Sequence, residues 1–286
     1  MKPKTVSVAL LLIMTAMMLQ PTRSFSQQLP DYLRDRGTGM PTSIFGTYVR
    51  KGELLIYPFY EYYRDKNREY EPAEFGLGST QEFRGRYRAH EGLLFIGYGI
   101  SDRVALEFEA AGIGAKFNKA ATDLSALPPE INESGLGDVE AQIRWRWNHE
   151  SARKPEFFNY FETVFPTGRN NSLIGTSDWE IKFGGGLIKG YSWGTVTVRA
   201  GVEYIAAEKT WGLGEYAIEY YRRANRFRFY TVLEGSENEV AIVPGMEWNL
   251  GHGVFVKLNN GFGLTSRAID FAPEVGIMFS LFGRRD

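Results

Sequence analysis

Charge falls on every second residue in several stretches of this chain, and that spacing restricts the chemistry it can perform. Arg84, Arg86 and Arg88 alternate in EFRGRYRAH, Glu107 and Glu109 in RVALEFEAA, and Asp138, Glu140, Arg144 and Arg146 in DVEAQIRWRW. Glu162, the pair Glu180 and Lys182, and the pair Arg199 and Glu203 extend the series, with Glu215, Glu219, Arg226, Arg228, Glu234, Glu239, Glu247, Lys257, Asp270 and Glu274 further on. A period of two places every member of such a set on one face of a β-strand. Side chains arrayed in this way can pair, attract counter-charge or border a polar path.

Catalysis requires a convergent set that the sequence does not supply. His90, His149 and His252 are the three histidines, and none stands near a serine or acidic residue at a spacing that makes a triad or a metal site. GxSxG and HExxH are absent, and so is cysteine, which removes thiol chemistry and disulfides. No catalytic, cofactor-binding or metal-ligating residue is expected, and the chain is not read as an enzyme. A formal net charge of -1 argues against a nucleic-acid partner, for which a basic domain is expected.

The elements that must carry these charges are strands. Opposite Asp138, Glu140, Arg144 and Arg146 stand Val139, Ala141, Ile143, Trp145 and Trp147. The same alternation recurs in TVTVRAGVEY, GEYAIEY, RFRFYTVLE and DFAPEVGIMFSLF, over roughly the ten residues a tilted strand needs to cross a bilayer. About twelve such segments can be counted, an even number, as single-chain membrane barrels have. Connections alternate in length: ISDR, KGYSWG, RRAN and NLGHG are tight, whereas Asp65–Thr80, Gly114–Ser134, Pro166–Ser177 and Ala206–Gly212 are longer. A soluble sandwich has no reason to segregate loop length by parity, but an outer-membrane barrel does. Pro58, Pro244 and Pro273 fall inside strands and are expected at bulges or strand ends.

Lys2 and Lys4 precede the apolar run Val8–Leu19, and Ser24 and Ser26 precede Gln27, the layout of a cleaved secretory signal over residues 1–26. The expected organisation is that signal, an aperiodic N-terminal tail or plug over residues 27–46, an all-β, antiparallel up-and-down transmembrane β-barrel over 47–282, and a C-terminal tail over 283–286. The place is the bacterial outer membrane, with outer-membrane lipid and lipopolysaccharide as surroundings. The apolar parity then meets lipid and the charged parity lines the lumen, either as a filling salt-bridge network or as a narrow path with a mild cation preference. Arg84, Arg86 and Arg88 read as an anion-attracting rung at the mouth, or as partners of glutamates or lipopolysaccharide phosphates at the rim. The Gly114–Ser134 connection is the expected lid or recognition loop.

ESGLGDVEAQIRWRW (133–147), FETVFPTG (161–168) and GTSDWEIKFGGGL (175–187) resemble a bacterial outer-membrane barrel family of transporters and of proteins of the meta-pathway of phenol degradation. The resemblance implies passage of small organic solutes, aromatic ones among them. Its counterpart is a structural or adhesive barrel with a filled lumen. Many such barrels end on an aromatic residue that the barrel assembly machinery reads. Here Phe282 is followed by GRRD, which leaves Phe279 or Phe282 as a recessed signal.

Overall fold

The computed structural model describes residues 29–168, 172–176, 178–206 and 209–282. The expected signal peptide (1–26) and C-terminal tail (283–286) lie outside them. Two short strands come first, β1 (Met40–Pro41) and β2 (Tyr48–Val49). Twelve long ones follow: β3 (Glu53–Tyr70), β4 (Phe83–Gly99), β5 (Val104–Asn118), β6 (Glu130–Asn148), β7 (Glu156–Phe165), β8 (Glu180–Tyr191), β9 (Gly194–Ile205), β10 (Thr210–Ala224), β11 (Phe227–Gly235), β12 (Val240–Gly251), β13 (Val254–Gly263) and β14 (Ala272–Phe282). Each pairs antiparallel with its chain neighbours, and β14 pairs with β3 to close a twelve-stranded barrel. Closure leaves the barrel sheet without a free edge.

Alternation sorts the two faces. Leu106, Phe108, Ile143, Phe161, Phe183, Val198, Val202, Ile218 and Leu233 point outward and are exposed, whereas Tyr57, Phe95, Phe158, Tyr160, Tyr221 and Tyr230 are buried inside. Outward tryptophans and tyrosines gather at both rims, Trp147, Trp193 and Trp248 at the end of the tight turns and Trp179 and Trp211 at the other, as an interfacial girdle requires. We call these the turn end and the loop end.

Inner aromatic rings lie flat against glycines on neighbouring strands: Tyr160 over Gly184 and Gly201, Tyr230 over Gly245, and Tyr57 over Gly276. A Cβ at any of these glycines would collide with the ring. The glycines of GGGL therefore supply room for packing, as strand glycines do where another group approaches closely.

Several boundaries differ from expectation. The barrel starts at Glu53, so residues 47–52 belong with the N-terminal segment rather than with the wall. Strands β3 to β6 are 15 to 19 residues long and absorb the ends of the two connections read as Asp65–Thr80 and Gly114–Ser134. A register shift between Asp65 and Arg68 breaks the period there, which is why the extension escapes a pattern search. Pro273 sits at a strand start, but Pro58 and Pro244 cause no bulge: the β3–β14 and β12–β13 ladders simply lapse beside them and resume in the same register. A proline lacks one N–H, which points to one neighbour alone, so only that ladder suffers.

Residues 29–52 fold into the turn-end half of the lumen. Met40 and Val49 pack with Leu55, Tyr57, Phe95 and Met278, while Phe45 and Tyr48 pack on the opposite wall against Ala217, Tyr221, Tyr230 and Val232. Gly99 passes the backbone of Arg50, and Gly190 that of Tyr32, so closely that neither can carry a side chain.

Candidate functional site

Two layers of charge fill the turn-end half. In the lower one, Arg36 of the N-terminal segment lies 3.0 Å from both Glu150 and Glu156, Arg146 lies 3.0 Å from Glu156, and Lys189 lies 2.8 Å from Glu150. Arg146 also donates to the Gly39 carbonyl, and Asp35 faces Arg222 at 3.7 Å. In the upper layer Arg144 is 3.1 Å from Glu107, which accepts hydrogen bonds from the Ser43 amide (3.1 Å) and hydroxyl (2.7 Å). The Arg144 guanidinium lies over Phe158 and Tyr160, and donates to Gln142, which donates to Glu162. Buried charges are tolerated only when matched in this way.

Above Ser43, Ile44 and Phe45 the lumen opens into a chamber of about 840 Å³ that reaches Ser172–Thr176, Ser236 and Ala268–Ile269 at the loop end. Its floor is the N-terminal segment; below it, between Thr42, Tyr48 and Arg144, lies a void of about 10 Å³, no larger than one water. Among the described residues, eleven carboxylates and two cations, Arg199 and Lys257, line the chamber. Glu274, Glu61 and Glu91 stand directly opposite one another across β14, β3 and β4, and Glu109 stands opposite Glu140 across β5 and β6. Facing residues on neighbouring strands have Cβ atoms about 4.5–5.5 Å apart, and like charges so placed repel. Among the described residues Glu61, Glu91, Glu109 and Glu140 have no cation within 4.0 Å, whereas Glu274 accepts from Tyr57 and from Asn259 at 2.8 Å.

The two cations occupy the lower wall. Arg199 lies 3.5 Å from Glu219 and 3.9 Å from Glu234. Lys257 is 1% exposed and makes no ion pair among the described residues; its ammonium rests among the rings of Tyr57, Phe45 and Tyr230, 5.1 to 5.8 Å from their centroids. Rings of this kind attract a cation through their quadrupoles.

The residues expected in the lumen fall into distinct sets. Glu109, Asp138 and Glu140 line the chamber, and Glu107, Glu162 and Arg199 its lower wall. Lys182 gathers Glu162 (3.1 Å), Glu215 (3.5 Å) and Glu203 (3.9 Å), with Glu180 inward on the same strand opposite Val164. Arg144 and Arg146 lie below, locked to the N-terminal segment and turn-end acids. Arg84, Arg86 and Arg88 are a correction: all three point out of the barrel. Their strand keeps one parity from end to end, and its inward set is Gly85, Tyr87, Ala89 and Glu91. At that height the inner face is apolar because it receives Leu173 and Ile174, which pack on Tyr87, Ala89 and Ala115.

Leu127 of the expected lid, Gly114–Ser134, packs with Tyr70, Phe117 and Leu173, and beside it residues 172–176 of the connection after β7 fold inward. Asp138 pins it by accepting from the amides of Gly168 (2.8 Å) and Thr176 (2.5 Å), and Glu133 accepts from those of Ser172 (3.1 Å) and Leu173 (2.7 Å). Glu61 and Glu91 were not among the expected lumen residues. Their parity is the only signal, and it is masked because Tyr57, Phe59 and Tyr63 on the inner face of β3 are as aromatic as Tyr60 and Tyr62 on the outer.

No family model and no curated protein sequence matches the chain. Among solved structures the barrel is similar to the COG4313 outer membrane channel from Pseudomonas putida F1, with a TM-score of 0.56 and 13% identity over 81% of this chain and 96% of that one. It is similar also to the translocator domain of the autotransporter NalP from Neisseria meningitidis, with a TM-score of 0.51 and 9% identity over 80% of this chain and 88% of that one. At such identities the likeness shows a shared outer-membrane barrel fold.

Proposed function

We propose that this protein is an outer-membrane channel that takes small organic solutes, cationic ones preferentially, into the acidic chamber and passes them inward when the N-terminal segment yields. The observation that carries the reading is the chamber wall, where the described residues set eleven carboxylates against two cations. Two unit charges about 5 Å apart cost on the order of 1 to 3 kcal/mol between bulk-water and protein-surface dielectrics. A solute cation between Glu61, Glu91 and Glu274 relieves that repulsion, and the half-buried Phe59 on the same wall offers it an aromatic ring. Aromatic amines fit both features. Aromatic solutes are also what the sequence resemblance to phenol-pathway barrels implies.

A second reading, a structural barrel without transport, is favoured by the filled turn-end half. Planar-bilayer recording separates the two. The channel reading expects low conductance from the whole protein, higher conductance after deletion of residues 29–46, and a reversal potential in a salt gradient of cation-selective sign. Gln at positions 61 and 91 should bring that potential toward zero. Liposome swelling should rank aromatic amines above neutral phenols and aromatic acids. An anion-selective potential would sink the solute class, and silence of the truncated barrel would sink the channel itself.

A further inference from the structure

The outward arginines form a site of their own. Arg64, Arg88 and Lys116 stand opposite one another across β3, β4 and β5, three cations in one rung, with Arg86 one rung higher. Lys116 is held by Glu130 at 2.6 Å, but the side chains of Arg64, Arg86 and Arg88 make no hydrogen bond or ion pair among the described residues, and all three are exposed. Facing like charges destabilise a sheet unless an anion lies over them. The rung also sits at a defined height: Arg64 bridges Phe271, an outward ring that packs against Phe262 in the loop-end girdle. Elsewhere that rim presents Trp179, Trp211 and Leu264.

Below the rung glycines open the wall beside His90, whose ring packs on Tyr62 and hydrogen-bonds Tyr60. Gly92 and Gly112 face each other, and Gly114 pairs with His90. A Cβ at Gly92 or Gly114 would meet nothing within 4 Å. Tyr60 and Tyr62 stand on one side of this trough and Leu136, 53% exposed, on the other. An apolar trough that ends at cations level with the headgroup girdle has the shape of an acyl chain leading to a phosphate.

We infer that the outer face of β3–β5 binds lipopolysaccharide, with one acyl chain along Gly92, Gly112 and Gly114 and a glucosamine phosphate over Arg64, Arg86 and Arg88. Guanidinium forks match phosphate oxygens in pairs. The site lies outside the lumen, so its test is independent of conductance.

The test measures binding of the intact barrel in detergent to vesicles containing bisphosphorylated lipid A or the same lipid stripped of phosphate. The wild-type barrel should prefer the phosphorylated form, and Arg64→Gln/Arg86→Gln/Arg88→Gln should lose roughly hundredfold in affinity, taking about 1 kcal/mol for each cation near an anionic surface. Gly114→Leu, which enters open space, should weaken binding severalfold with the arginines intact. Excess inorganic phosphate should displace little lipid. Equal binding of both lipids by the wild-type barrel would overturn the proposal even if the triple variant failed to fold. Wild-type affinity in the triple variant would overturn it as well, and ready displacement by free phosphate would replace the lipid by a soluble anion.

Discussion

Glu61 and Glu91 face each other across the β3–β4 ladder, and Glu274 faces Glu61 from the other side. Evolution of a stable wall alone would not place three carboxylates in one rung, because each facing pair of like charge destabilises the sheet. Glu91→Gln should therefore raise the midpoint of thermal unfolding in detergent while weakening cation selectivity, the trade expected where function holds residues in a destabilising arrangement. A drop in stability would show that the rung is stabilised by contacts of another kind.

The N-terminal segment is held by one side chain more than by any other. Arg36 bridges Glu150 and Glu156, yet each acid keeps a second cation, Lys189 or Arg146, when Arg36 is removed. Arg36→Ala should thus loosen the segment without unfolding the barrel, at a cost to docking of about 1.5 to 3 kcal/mol for the lost charge-assisted hydrogen bonds. Trypsin cleavage at Arg34 in the folded protein and a rise in single-channel conductance are the measurements. Unchanged cleavage kinetics would mean that the apolar contacts of Met40, Phe45 and Val49 hold the segment alone.

The wall was legible in the sequence because burial on two sides by different solvents forces a period of two, and twelve strands could be counted from it. DVEAQIRWRW is the clearest case: Val139, Ile143, Trp145 and Trp147 turn outward, and Asp138, Glu140, Arg144 and Arg146 inward. The same rule misplaced Arg84, Arg86 and Arg88, because beyond the lipid belt the outer face meets water and headgroups and charge moves to it. Parity fixes which residues share a face but not which face is inside. The N-terminal segment has no period because it touches the lumen through isolated contacts, Ser43 to Glu107 and Arg36 to Glu150, that only the closed barrel brings together. The acidity of the chamber was legible only as a mild cation preference, because the charges along the chain nearly balance, whereas many of the cations are spent below the chamber floor and outside the wall.

A pH response is expected at the loop end. Asp123, in the 119–129 connection, is buried, accepts a hydrogen bond from Tyr70 at 2.8 Å and caps Ser125 at 2.8 Å. Burial works against its charge, but the hydrogen bonds of Ser125 and Tyr70 and the nearby Lys119 outweigh it and hold the carboxyl below the ordinary value of 3.8. The free carboxyl therefore takes its proton first, so the stabilisation is complete above 3.8 and fades as pH falls through the lower, packed value. With no native cysteine, Leu124→Cys carries a single fluorophore on a fully open position. Its emission should change only in that acid window, and Asp123→Asn should abolish the transition; the same transition in both proteins would assign it to another group.

The Glu107–Arg144 pair offers a test of whether the lumen charges stabilise the barrel or specify it. Both side chains are almost fully buried, and Glu107 also receives Ser43. Glu107→Ala should cost about 3 to 5 kcal/mol by leaving the guanidinium unmatched, and Arg144→Met a similar amount by leaving the carboxylate. The double variant Glu107→Leu/Arg144→Met should recover most of that loss, since an apolar pair of similar volume satisfies the same space without desolvating charge. Its N-terminal segment should nevertheless be cleaved faster, because the Ser43 amide and hydroxyl then lose their acceptor. Denaturant unfolding of all four proteins, with proteolysis of the segment followed in parallel, separates the two contributions. If the double variant unfolds as easily as the single ones, the pair is a source of stability and not merely the anchor that sets where Ser43 docks.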